Sequence, residues 1–360
     1  MLGVGIVGLP NVGKSTLFNA ITKSSVSSEN YPFCTIDPNV GIIPYRDERL
    51  YRAAQLVDSK NIVDATVKFV DIAGLVKGAS KGEGLGNRFL SNIREVSLIC
   101  HVLRCFEGSD VTHVSGSIDP IRDLEVINGE LILADLEVVE RAIEKQTKLA
   151  KRGDKSAKAI LEVLEKIRAH FQNLLPLTSL GLTEDEIELV TNYQFLTLKP
   201  QMIVCNVLDN ELEGNVHTKA VASYSQERSI PHVILSSKIE HEISQLGEED
   251  QVEFLQEFGL ERPGIDRVVS TAYKLLGLIS FFTIGPKESK AWTIKDGDSA
   301  FDAAGCIHTD IQRGFIRAEV ISYEDYISTS GKAKEKGLIR LEGKEYRVAD
   351  GDVIYFRFNL

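Results

Sequence analysis

Residues 8–16 read Gly8-Leu9-Pro10-Asn11-Val12-Gly13-Lys14-Ser15-Thr16, and this stretch decides the fold. It satisfies GxxxxGK[ST], follows the apolar run 2–8 (LGVGIVG), and opens a segment with Leu17, Phe18, Ala20 and Ile21 at helical spacing. Strand, glycine-rich turn and helix are the context in which this motif cradles phosphate. Loop N–H groups and the positive end of the helix face the anion. The expected nucleotide contacts are therefore Asn11, Val12, Gly13, Lys14, Ser15 and Thr16. Lys14 is the catalytic cation on the β and γ oxygens, and Ser15 is a ligand of Mg2+.

Working outward, apolar runs recur at 66–71 (TVKFVD), 97–104 (SLICHVLR), 201–206 (QMIVCN) and 232–236 (HVILS), separated by segments of helical length. The pattern predicts an α/β fold, a mostly parallel sheet with helices on both faces. Its ligands belong at the carboxyl ends of the strands. Asp71 ends one such run and Gly74 follows it in a DxxG pattern. The carboxylate suits Mg2+, and the glycine N–H suits a γ-phosphate. The proline-bracketed stretch 31–41 (YPFCTIDPNVG) offers Thr35 as a further metal ligand and switch residue. Asn206-Val207-Leu208-Asp209 stands where a guanine-reading NKxD would stand, and Ser236-Ser237-Lys238 resembles the SAK loop behind the base. Taken alone, Asp209 favours GTP, because a carboxylate accepts from guanine N1–H and N2–H2.

The alternation breaks between about 128 and 196. Ile127, Leu131, Ala134, Val138 and Ala142 recur every three or four residues, as do Ala157, Leu161, Leu164, Ile167, Phe171 and Leu174, with KRGDKS between them. This is a helical hairpin inserted into the sheet domain. Its tip carries Arg141, Lys145, Lys148, Lys151, Arg152, Lys155 and Lys158 against only Glu144 and Asp154. That patch suits RNA phosphates in a chain whose net charge of -11 otherwise repels them. Beyond residue 278 a mixed pattern sets in, with strands at FFTIG, AWTIK, EYRV and DVIYFRF and a helix at DSAFDAAGCIH, as in a small α+β domain. The domains expected are 1–127 with 197–277, the insert 128–196, and 278–360.

A chain of 360 residues suits two or three domains. With 43% apolar and 26% charged residues, and no run of about 18 uncharged apolar residues, it reads as a cytoplasmic protein with no membrane partner. The five cysteines show no CxxC spacing, so neither a disulfide framework nor a zinc site is expected.

GLPNVGKST, YPFCTIDPNVG, DIAGLVKGASKGEGLGN, the NxxD site and a tail with AWTI and GFIRAEVIS together resemble the Obg-like ATPases, the YchF family of P-loop NTPases. The resemblance spans essentially the whole chain. It implies a P-loop NTPase G domain, a coiled-coil insert and a C-terminal TGS domain of β-grasp fold. It also implies ATP as substrate, Mg2+ dependence and association with the ribosome. The family commonly has NxxE where this chain has Asp209, so GTP stays an alternative substrate. A nucleotide-sensing module that binds ribosomal RNA, with incidental hydrolysis, is the alternative function.

The family also carries a hydrophobic residue in place of the water-positioning glutamine, and Leu75 stands there. Leucine can neither donate to water nor accept from it. Two substitutes are open. One is His113, in EGSDVTHVSGS, similar to a loop histidine proposed for this role in the family. The other is a K+ ion near Asn11, offsetting charge beside the β and γ oxygens.

Overall fold

The computed structural model describes residues 3–23, 39–72, 85–108, 117–332 and 335–359. In chain order the elements are β1 (Gly3–Val7), α1 (Lys14–Lys23), β2 (Val40–Tyr45), α2 (Glu48–Gln55), β3 (Ile62–Val63), β4 (Ala65–Asp71), α3 (Leu85–Glu95), β5 (Leu98–Arg104), α4 (Pro120–Ala150), α5 (Lys155–Gln172), α6 (Glu184–Val190), β6 (Gln201–Asn206), α7 (Val216–Arg228), β7 (His232–Leu235), α8 (Ser237–Ile243), α9 (Glu248–Glu257) and α10 (Gly264–Leu275). They are followed by β8 (Leu278–Thr283), β9 (Ser289–Lys295), α11 (Ala300–Ile307), α12 (Thr309–Arg313), β10 (Phe315–Ile321), α13 (Tyr323–Ser328), β11 (Arg340–Glu342) and β12 (Val353–Phe358). The chain forms two compact units, Met1–Gly41 with Lys68–Val268, and Ile42–Val67 with Val269–Leu360. Among the described residues no helix is long and apolar enough to cross a membrane.

The first sheet has the order β2-β4-β1-β5-β6-β7. β1 pairs in parallel with β4 and β5, and β5–β6 and β6–β7 are parallel too. Every residue of β1 and β5 is buried, as mainly apolar runs imply for strands covered on both faces, with His101 and Arg104 the polar members of β5. The four strands read beyond β1 are therefore where the sequence puts them. β2 was not read, because Pro44 interrupts its pattern.

α4 and α5 form the hairpin. Asp119 caps α4 by accepting from Arg122 N, with Pro120 at the first turn, and Asp154 caps α5 by accepting from Ala157 N. The first half of α4 packs on the sheet, where Leu124 joins Leu103, Cys105, Ile203 and Cys205. The second half packs Val139, Ala142 and Ile143 on Val163, Leu164, Ile167 and Phe171. Val139 takes the central place expected of Val138, because 3.6 residues per turn rotates the stripe along so long a helix. Leu174 does not join it. α5 ends before it, and Leu174 sits in a left-handed turn with φ 56°, 65% exposed. On the return to the sheet, buried Asp135 accepts from Leu196 N at 2.9 Å and from Thr197 N and Oγ1 at 2.8 Å. Lys199 then donates to the carbonyl oxygens of Arg94 (3.0 Å) and Val96 at the end of α3.

The second sheet has the order β11-β10-β12-β8-β9-β3. β8 and β9 are antiparallel, β12 is parallel to β8, and β10 is antiparallel to both β12 and β11. The first and last strands of 278–359 thus lie side by side, and α11 covers one face through Ala300, Ala303 and Ala304. This is the β-grasp arrangement. On the opposite side Leu50 and Ala53 of α2 and Tyr326 of α13 meet Phe282, Ala291, Ile321 and Val353. EYRV (345–348) is not a strand. Its backbone braces the turn into α11 instead, with Ala300 N donating to Tyr346 O at 2.8 Å and Val348 N to Asp298 O at 3.1 Å.

Candidate nucleotide site

The phosphate loop leaves β1 pressed against β5. A Cβ on Gly8 would lie 2.8 Å from Val102 O and 2.9 Å from Val12 Cγ2, so no side chain fits there. The loop then turns through two left-handed residues, Asn11 (φ 65°) and Gly13 (φ 91°), on either side of buried Val12. α1 follows at once from Lys14, leaving the hydroxyl residues Ser15 and Thr16 exposed in its first turn. N–H groups at such a helix start lack intrahelical partners. Across the sheet, Asp71 lies beside Ile6 in the β1–β4 register. Its Oδ1 accepts from Lys14 Nζ in an ion pair that is largely shielded from solvent.

The other wall is built on Asn206 at the end of β6, only 4% exposed. Its Nδ2 donates to Val12 O at 2.9 Å, and its Oδ1 accepts from Ser237 N at 2.8 Å. One side chain thereby joins the phosphate loop to the β7–α8 loop. A Cβ on Gly13 would come within 2.1 Å of Asn206 Nδ2. Ser237 is buried, and its Oγ has no hydrogen-bond partner among the described residues. Val207 points into the apolar cluster with Leu103 and Cys105. Asp209 is partly exposed: Oδ1 accepts from Ser236 Oγ at 2.7 Å and Oδ2 from Lys238 Nζ at 2.6 Å. Partial burial raises its carboxyl, but the Lys238 and Ser236 bonds outweigh that and hold it below the usual carboxylate range.

Arg104 was missed by sequence reasoning. It closes β5, is 1% exposed, and lies beside Asn206 in the β5–β6 register. Its Nε donates to Phe106 O at 3.3 Å and Nη2 approaches Gly108 O at 3.5 Å, with the guanidinium 4.6 Å from the Phe106 ring centroid. The signal available was a charge at the carboxyl end of an apolar run. Thr35, Gly74, Leu75 and His113 lie outside the described residues.

Asn11–Thr16, Asp71, Asn206, Asp209 and Ser236–Lys238 thus converge at the carboxyl ends of β1, β4, β6 and β7. Among the described residues no group of three His, Cys, Asp or Glu side chains gathers as a metal cage. The oxygen donors present, the Ser15 hydroxyl and the Asp71 carboxylate, suit a hard divalent cation that completes its shell with phosphate and water. The Lys14 ammonium on Asp71 shows that this carboxylate already serves a positive charge.

Residues 3–166 match the family model described as a 50S ribosome-binding GTPase, and residues 278–359 match the C-terminal YchF GTPase model, described as a protein of unknown function. The Ribosome-binding ATPase YchF of Haemophilus influenzae is 52% identical over 358 residues, 99% of each chain. The chain belongs to the YchF family. The Ribosome-binding ATPase YchF of Bacillus subtilis matches this YchF chain at 50% identity over 364 residues, 100% of both. The structure of the Schizosaccharomyces pombe YchF GTPase superposes with TM-score 0.89 at 34% identity, covering 99% of this chain and 97% of that one. A GTP-binding protein from Pyrococcus horikoshii shares the fold at TM-score 0.62 and 20% identity. The α/β P-loop domain of this YchF chain is thus that of the GTPase class, and the class implies a divalent metal.

Proposed function

We propose that this chain is a Mg2+-dependent ATPase that acts as a regulatory switch on the ribosome, in the cytoplasm. The observation that carries the reading is the Lys14–Asp71 pair beneath the turn at Asn11 and Gly13. A lysine held on a carboxylate at the mouth of a phosphate loop can exchange that partner for β and γ oxygens when nucleotide arrives. The relatives at about 50% identity are named Ribosome-binding ATPase, which supports ATP and the ribosome as ligands.

In this reading the backbone of Asn11 to Thr16 and the Gly74 N–H hold the phosphates. Asn206, Asp209 and Ser236–Lys238 form the base site, to which Val207 contributes no side chain because it packs into the apolar cluster. Ser15, Thr35 and Asp71 would hold Mg2+, which neutralises phosphate charge when bound. Lys14 stabilises charge on the transferred phosphoryl group. The water is oriented by His113, or its attack is assisted by K+ held near Asn11. The exposed basic tip of the 128–196 insert meets ribosomal RNA, with 1–127 and 197–277 as the G domain, less residues 42–67 that belong to the compact unit of 269–360, and 278–360 as the TGS domain. GTP is the second substrate to be weighed, because Asp209 alone would accept from guanine.

Calorimetry of the full chain with ATP and with GTP in magnesium buffer tests the ligand, with Lys14→Ala as the control that loses binding. Turnover with and without ribosomes tests the switch. Uptake of neither nucleotide overturns the ATPase reading. Nucleotide-dependent ribosome binding without stimulation replaces the switch by a sensing module. Equal turnover of His113→Ala and parent removes the histidine, and equal rates in K+ and Na+ remove the cation.

A further inference from the structure

We propose that the open edge of β12 is a strand-addition site, where a short extended peptide of a partner protein continues the second sheet beside residues 355–358. The peptide it fits is apolar on both faces and carries a basic residue at one end.

β12 has neighbours of unequal reach. On one side β10 follows it from Val353 to Phe358. On the other, β8 is in register only at Val353 with Phe282, and it ends at Thr283. Beyond that point, among the described residues, no strand pairs with β12 on the β8 side. Phe282 N donates to Asp352 O at 2.8 Å, so Asp352 directs its carbonyl toward β8. Backbone direction alternates along a strand, so the N–H and C=O of Phe356 face the same way, where β8 has already ended. Such groups on a strand edge are a template for another strand.

The space beside that edge also has room for side chains. A cavity of about 420 Å³ lies along it and reaches both faces of the sheet. Ile307 and Ile311 line it on the α11 side, and Ile321 and Tyr326 on the opposite side. Successive side chains of an added strand point to opposite faces, so each finds an apolar seat. Tyr355 is 59% and Phe358 43% exposed, which leaves aromatic surface for the newcomer to cover. Among the described residues that line the slot, the charged ones are Glu288 and Glu319, both acidic. Glu319 is answered by Arg357 at 2.8 Å, whereas exposed Glu288 accepts from the neutral Asn61 amide at 3.0 Å. The slot therefore favours a basic residue at the Glu288 end and repels nucleic-acid phosphates. Main-chain bonds would supply affinity and the two apolar seats selectivity.

The test is fluorescence anisotropy of the full chain with a labelled hexapeptide, Lys-Thr-Val-Ile-Val-Thr, read together with amide hydrogen exchange. The expected result is saturable binding that protects the Phe356 amide, and no binding of the same peptide N-methylated at alternate amides. Glu288→Lys should bind it about fivefold more weakly, and a peptide with Glu in place of Lys should recover the loss. No saturable binding at millimolar peptide overturns the proposal, as does binding of the N-methylated peptide or protection confined to other residues. Equal affinity of Glu288→Lys and the parent overturns the basic end of the ligand. A dimer in sedimentation that the peptide dissociates would put a second copy of the chain in the slot, and displacement of the peptide by single-stranded RNA would put nucleic acid there; either overturns a partner protein.

Discussion

Asn206 holds the carbonyl of Val12 at 2.9 Å from a buried position 194 residues along the chain. Because its other amide atom holds Ser237 N, the two loops that frame the site are fixed by one side chain. Asn206→Ala would leave a buried carbonyl and a buried N–H unpaired, each costing about 1–3 kcal/mol. The expected outcome is a loss of roughly 2–4 kcal/mol in urea unfolding and weakened nucleotide binding by calorimetry. Asn206→Asp, which cannot donate to Val12 O when ionised, should recover only part of either.

Gly13→Ala probes the same joint from the loop side. The residue sits at φ 91°, and its Cβ would stand 2.1 Å from Asn206 Nδ2. Left-handed strain alone costs about 1–2 kcal/mol, and the clash displaces the asparagine as well. Thermal melts should show Gly13→Ala less stable than the parent, with nucleotide-induced stabilisation largely lost.

Glu240 gives a pH dependence. It is a buried residue of α8 whose carboxyl meets the start of α10, where Oε1 accepts from Gly264 N at 2.7 Å and Oε2 from Ile265 N at 3.1 Å. Burial raises its carboxyl to about 7, against the smaller lowering by those N–H groups. A folded-state value above the unfolded one means that the native chain binds the extra proton. Glu240 thus favours folding most below about pH 4.5 and loses that contribution as pH rises through about 7. Stability measured from pH 4.5 to 8 should therefore fall more with rising pH in the parent than in Glu240→Gln.

At the tip of the α4–α5 hairpin, Lys148, Lys151, Arg152 and Lys155 are all exposed. Neutralising these four should leave the melting temperature within about 1–2 °C, since surface charges of this kind contribute little to stability. Association with ribosomal RNA should weaken, with a shallower dependence on salt because fewer phosphate counterions are released. Filter binding across a salt series reads both quantities.

Much of the sheet and of the phosphate loop was legible because both are local. A parallel strand buried on two faces writes itself as an apolar run, and the loop's glycines sit at fixed spacing. What escaped was non-local. β3 is only Ile62–Val63, and its partner is β9, where Ile62 faces Ser289; two residues carry no periodicity. Arg104 looked like the end of a strand, and nothing in its neighbours announced a guanidinium buried against carbonyl oxygens. Asp209 and Lys238 were each read, but as separate motif positions. Their pairing depends on β6 and β7 ending side by side, which spacing alone does not reveal.

Placing residues 42–67 in the same compact unit as residues 269–360 has a consequence for biogenesis. During translation the early segment emerges without the strands that complete its sheet. At about 5–20 residues per second, its apolar residues Leu50, Ala53 and Ala65 wait on the order of tens of seconds for Phe282, Ile321 and Val353. Closure of this half of the molecule is therefore post-translational in character, and the nascent chain carries an unsatisfied apolar surface for most of its synthesis.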